Sequence, residues 1–128
     1  MVRVRHIDHV AIAVKDVRAS AAWYQEMLGL ERRFADVWGD EPPWMVCAGE
    51  TCIALFPTEG GAEPAPGRGA VAMRHFAFVV DRAEFESARA AFEDSGIPYD
   101  FADHDVAHSL YISDPDGHRI ELTTYELG

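Results

Sequence analysis

Lysine is nearly missing from this chain. Lys15 is the only one, and no basic side chain lies between Arg89 and Arg119. Lysine and arginine together number 11 against 22 aspartates and glutamates, a formal net charge of -11. Nucleic-acid binding needs a basic face that neutralises phosphates, so this balance excludes it. It also argues against tight binding of a strongly anionic ligand along the stretch from Arg89 to Arg119. Long apolar runs are missing too. None approaches the roughly 20 residues of a membrane span, and the opening "MVRVRHIDHV" lacks the apolar core and small-residue cleavage site of a secretory leader. A cytoplasmic chain with neither membrane nor nucleic-acid partners is expected. Cysteine is reduced to Cys47 and Cys52, flanking the turn in "CAGETC". They can face one another across a hairpin, but a cytosolic setting keeps thiols reduced, so they read as packing residues.

What the chain does hold is a pattern that occurs twice. The composition, 48% hydrophobic and 26% charged, is that of a globular domain and not a disordered one. "HVAIAVKD" starts at His9, and "HFAFVVD" starts at His75. Each is strand-like, led by a histidine and closed by an aspartate suited to a helix N-cap, Asp16 or Asp81. Helical spacing follows in "VRASAAWYQEML", with Val17, Ala21, Tyr24 and Leu28 on one face. It recurs in "RAEFESARAAFEDSG", with Phe85, Ala88 and Phe92. Gly29 and Gly96 end the two helices, 20 residues after His9 and 21 after His75. Three strands are predicted after each: "LERRFADVW", "WMVCAG" and "TCIALFP" in the first copy, "IPYDF", "HSLYIS" and "HRIELTTY" in the second. The predicted fold is α+β, two tandem βαβββ modules at 1–57 and 70–128, joined by a Gly/Pro-rich linker at 58–69. An internal repeat of this kind suggests two halves that pack as one domain.

Alternation places Ile7, His9, Ala11 and Ala13 on one strand face and Val10, Ile12 and Val14 on the other. In the second copy it separates His75, Ala77 and Val79 from Phe76, Phe78 and Val80. Two equivalent histidines on roomy faces that converge would invite a divalent metal. Glu121, between Ile120 and Leu122, is costly to bury without a partner and reads as the third ligand. Two histidines and a carboxylate leave coordination positions open, as catalytic sites require. Glu121 lies 46 residues after His75. Its counterpart in the first copy is Ala54, so three protein ligands are expected and not four. His6, His104 and His118, in or beside loops, read by themselves as ordinary hydrogen-bonding residues. Tyr111 is a candidate donor to a developing oxyanion, and His104 or His108 a candidate to move a proton. Trp38, Trp44 and Phe56 could wall a pocket for an aromatic or alkyl substrate.

Together "IDHVAIAV", "WYQEMLGL", "RHFAFVV" and "DPDGHRIEL" resemble the vicinal oxygen chelate superfamily, over almost the whole chain. The group contains glyoxalase I, fosfomycin-resistance enzymes, bleomycin-binding proteins, methylmalonyl-CoA epimerase and extradiol dioxygenases. The resemblance implies a cup-shaped mixed sheet around a divalent ion that binds a small-molecule substrate through adjacent oxygens, often in a homodimer. Ala54 stands where glyoxalase-like lyases and isomerases place a fourth ligand. Ser109 and Tyr111 match residues of the fosfomycin transferases, although Ala11 replaces their threonine and no lysine precedes Ser109. Bleomycin-type members sequester a small molecule without metal ligands. The extradiol dioxygenases are slightly favoured: their signature is similar to His104, Leu110-Tyr111, Asp114-Pro115, Gly117 and Glu121. Two departures stand beside it. Ala102 occupies a signature position, and the acid-base histidine those enzymes carry ahead of the second metal histidine falls at about Gly60. The implied ion is Fe2+ or Mn2+, with Zn2+, Ni2+ or Co2+ as alternatives.

Overall fold

A computed structural model describes residues 1–59, 69 and 71–128. The chain divides into two compact units, Met1–Glu63 and Pro64–Gly128. The predicted linker at 58–69 falls, over residues 60–68, outside the described residues.

The first unit runs β1 (His9–Val14), α1 (Val17–Leu28), β2 (Glu31–Arg33), α2 (Ala35–Trp38), β3 (Trp44–Ala48) and β4 (Thr51–Pro57). The second runs β5 (Phe76–Val79), α3 (Arg82–Ser95), β6 (Asp100–Asp103), β7 (His108–Ser113) and β8 (Arg119–Thr124). Each unit builds a four-stranded mixed sheet of the same topology, β1-β4-β3-β2 and β5-β8-β7-β6. The α+β class and the βαβββ repeat are therefore as predicted, with α2 as an added turn of helix.

Local chemistry explains the helices. Asp16 accepts from the Ala19 amide at 3.0 Å, and Asp81 from the Glu84 amide at 2.8 Å. Both satisfy donors that a helix start leaves bare. Gly29 and Gly96 adopt φ of 66° and 67°, a left-handed conformation that glycine reaches without the Cβ penalty. Replacing Asp81 by alanine is expected to cost about 1 kcal/mol of stability, read as a lowered urea midpoint with unchanged slope.

Each sheet has a helix-side face and an opposite face. In the first unit Ile12, Val14, Val46, Ile53 and Leu55 are buried, and in the second Leu110, Ile112, Ile120 and Leu122, with Phe85 and Phe92 from α3. The opposite faces differ in chemistry although their registers match. Ala11 pairs with Ala54 and Met45 with Ala54; Ala77 pairs with Glu121 and Tyr111 with Glu121. Backbone pairing thus independently makes Ala54 the counterpart of Glu121. In the first unit these positions form a buried apolar cluster of Met45, Cys47, Cys52 and Ala54. In the second they carry the polar side chains described below.

Three readings of the first copy are corrected. Strand pairing starts at His9, so Ile7, placed on the same strand face by alternation, lies outside the sheet and is exposed, as are Val2 and Val4. The strand expected over Leu30–Trp38 stops at Arg33, because Phe34 turns to φ 68° and the chain enters α2. Cys47 and Cys52 are joined in a disulfide and not reduced. They are register partners across the β3–β4 hairpin, with Cα atoms 4.1 Å apart, and Arg33 reaches Cys52 Sγ at 3.6 Å. Direct opposition on neighbouring strands brings such a pair within bonding reach. No helix among the described residues is long and apolar enough to cross a membrane.

Candidate metal and substrate site

The second unit gathers its chemistry on the face of its sheet away from α3. Glu121, on β8, is nearly buried, at 9% exposure. A buried carboxylate must be partnered to be tolerated, and here both oxygens are. Ser109 Oγ donates to Oε2 at 2.6 Å, while His75 Nε2 lies 2.9 Å from Oε1. Ser109 is itself fully buried and also within 3.2 Å of Thr123 Oγ1. These contacts follow from the strand register. Ser109 faces Thr123, Tyr111 faces Glu121, and Ala77, two residues after His75, faces Glu121 from the other side.

Tyr111 continues the cluster. Its ring meets the His75 ring edge-on at 5.5 Å, and its hydroxyl lies 3.1 Å from His104 Nε2. Burial pushes the Tyr111 hydroxyl above the usual phenol range; the Glu121 charge adds to this, and Arg119 opposes it. The phenol therefore stays protonated at neutral pH and can donate. Arg119 holds its guanidinium 5.3 Å from the centre of the Tyr111 ring and bonds Asp100 on β6. A cleft of about 660 Å³ opens here, lined by His75, His104, Tyr111, Asp100 and Arg119 among others.

Of the other candidates, His108 belongs to the second unit, and His9, Trp38, Trp44 and Phe56 belong to the first. His108 shares β7 with Tyr111 but sits an odd number of residues away, so it projects to the α3 side. There it meets Arg82 at 2.8 Å and the rings of Phe85 and Phe101. His9, on β1, is half exposed and bonds Asp8 at 2.8 Å. Trp44 is buried on the α1 side, between the guanidinium groups of Arg18 at 4.9 Å and Arg32 at 3.4 Å, with its indole N–H on Asp40 O. It walls no cavity on the His9 face. Trp38 belongs to α2 and packs on Phe34 at 5.0 Å. Phe56 faces Ala13 across the β1–β4 ladder and is 41% exposed. Arg119 and Asp100, absent from the sequence-derived candidates, border the cleft; the two-residue spacing of Arg119 from Glu121 was the available signal.

Neither unit holds, among its described residues, three His, Cys, Asp or Glu side chains grouped to bind an ion. The second unit offers two donors, and these fit one. Ligand atoms about 2.1 Å from a shared ion, at right angles, stand about 3 Å apart, and His75 Nε2 and Glu121 Oε1 are 2.9 Å apart. Ser109 supplies the outer hydrogen bond that orients a ligating carboxylate.

Two βαβββ repeats of matching topology, the second with a histidine–carboxylate pair on one sheet face, define the class of fold to which the chain belongs. Residues 6–122 match the Glyoxalase/Bleomycin resistance protein/Dioxygenase superfamily, and the chain belongs to that family. It is 27% identical over 118 residues to a catechol-2,3-dioxygenase of Bacillus subtilis (strain 168), covering 91% of this chain but only 40% of that relative. It is 27% identical over 119 residues to the glutathione transferase FosA of Serratia marcescens, covering 93% of this chain and 80% of that one. Among solved structures it resembles a lactoylglutathione lyase from Agrobacterium tumefaciens, with a TM-score of 0.69 and 27% identity. That likeness covers 93% of this chain and 92% of the other. The relatives thus span a dioxygenase, a transferase and a lyase.

Proposed function

We propose that the chain is a divalent-metal-dependent enzyme acting on a small molecule through adjacent oxygens, with the extradiol-dioxygenase type of chemistry favoured. The reading rests on one observation: His75 and the Ser109-held Glu121 lie at ligand spacing beside the hydrogen-bonded Tyr111–His104 pair. His75 and Glu121, the donors that the second unit itself supplies, would hold Fe2+ or Mn2+. When bound, the ion supplies Lewis acidity toward two neighbouring substrate oxygens. The chain's own groups do the rest. Ser109 fixes the carboxylate. Tyr111 keeps its proton and donates to an oxygen on which negative charge develops. His104, at hydrogen-bond distance from that phenol, is placed to move a proton.

Protein purified without chelator is expected to carry about one ion per chain and to melt higher on addition of Mn(II) or Fe(II). The anaerobically iron-loaded protein should consume oxygen with catechols. Metal content below about 0.2 per chain, with unchanged melting on adding ions, would point instead to a metal-free binding protein. Metal binding without oxygen uptake would abandon the dioxygenase branch and leave lyase or transferase chemistry.

A further inference from the structure

Two arginines line the cleft of a chain that is acidic as a whole. The whole protein carries a formal -11 with histidine neutral, yet the cleft lining holds two arginines, Arg74 and Arg119, against one carboxylate, Asp100. A cation exposed in a concave site acts more strongly on whatever enters than one on open surface. One of these cations is also fixed in place. Arg119 donates from one Nη to an Asp100 carboxylate oxygen, and the Tyr111 ring lies beneath the guanidinium at 5.3 Å. The side chain nevertheless remains 34% exposed. A guanidinium has five N–H donors in a planar fork, so the bond to Asp100 leaves donors free to face the cleft. Arg74, also in the lining, has no ion-pair partner among the described residues.

We propose that the substrate bears a carboxylate, and that Arg119, pinned by Asp100 over Tyr111, is the residue that anchors it. This rests on the reading of the cleft as the substrate site and deepens it by naming a substrate class. The anchor stands beside Tyr111, whose ring contacts His75 and whose hydroxyl meets His104. A carboxylate held there places the body of an aromatic acid alongside the reacting groups. Asp100 limits the charge the site accepts: it offsets part of the Arg119 field and repels a second negative group. A single carboxylate fits; a polyanion does not.

The probe pair is 3,4-dihydroxybenzoate and its methyl ester, which differ in charge at one position. Their dissociation constants are to be measured by calorimetry on the full chain, both metal-free and supplemented with Mn(II). The acid is expected to bind at least about tenfold more tightly than the ester, with a preference that shrinks at high salt. In Arg119→Gln the acid should weaken about tenfold and the ester stay as it was. Equal binding of acid and ester, failure of both to bind, or an equal loss of both in Arg119→Gln would overturn the proposal. Loss of Mn(II) binding with the acid preference intact would overturn the metal-enzyme reading and leave the anchor standing. Mn(II) binding with no acid preference would do the reverse.

Discussion

Glu121→Ala is expected to lower Mn(II) affinity by more than about 100-fold, beyond the roughly 10–100-fold typical of removing an outer-shell partner of a metal ligand. The carboxylate is the least exposed charged group on its sheet face, and both of its oxygens are committed, to Ser109 and to His75. Deleting it removes one donor outright and frees His75 from the contact that holds its Nε2 in position. Calorimetric titration with Mn(II) would read the loss directly. A second readout is thermal: an ion at about 100 times its dissociation constant stabilises by about 2.7 kcal/mol, and that increment should vanish. Glu121→Gln separates charge from shape, since an amide can still accept from Ser109 but is a poorer ligand. It should fold as the parent does and bind the ion weakly. Parent-like Mn(II) affinity in Glu121→Ala would remove Glu121 from the ligand set.

Most of the architecture was legible because two strong local signals agreed, a period of two in the strands and capped, glycine-stopped helices between them. Asp16 and Asp81 cap, Gly29 and Gly96 stop, and both sheets carry the same topology. Counting from His75 led to Ala54 as the partner of Glu121, and the strand registers give the same answer. The failures are equally physical. A β-branched, apolar N-terminal run looks like strand, but pairing needs a neighbour, and β1 meets β4 only from His9 to Val14. Cys47 and Cys52 were assigned by compartment, whereas hairpin register decides whether two sulfurs can meet.

Side-chain destination was the least legible property. His108 and Tyr111 were candidates for the same site, yet strand alternation separates them: Ser109 and Tyr111 face Glu121's side, His108 and Leu110 face α3. Trp44 looked like a pocket wall because it is aromatic. Its burial between two arginines on the α1 side is a tertiary fact that no local pattern carries. Arg119 escaped notice for the opposite reason, since a charged residue next to a turn reads as solvated until a partner such as Asp100 is seen across the sheet.

The second large effect belongs to the face away from the site. Phe85→Ala is expected to destabilise the protein by about 3–5 kcal/mol, against a typical total of about 5–15. Phe85, from α3, is fully buried. Its ring lies 6.4 Å from those of both Phe101 and His108, and the Arg82 guanidinium sits 5.0 Å from its centre. Truncation leaves a cavity beneath β6 and β7 and strips the apolar contact that holds the helix to the sheet. Melting should fall by roughly 10–20 °C, followed by circular dichroism. Because β7 and β8 carry Ser109, Tyr111 and Glu121 on their other face, the same loss must propagate to the site once the sheet opens. Well below the melting point, where the sheet is still closed, Mn(II) affinity should remain near that of the parent. A variant that folds and melts normally but no longer binds Mn(II) would show that the α3 face acts on the ligands directly, and not only by holding the sheet together.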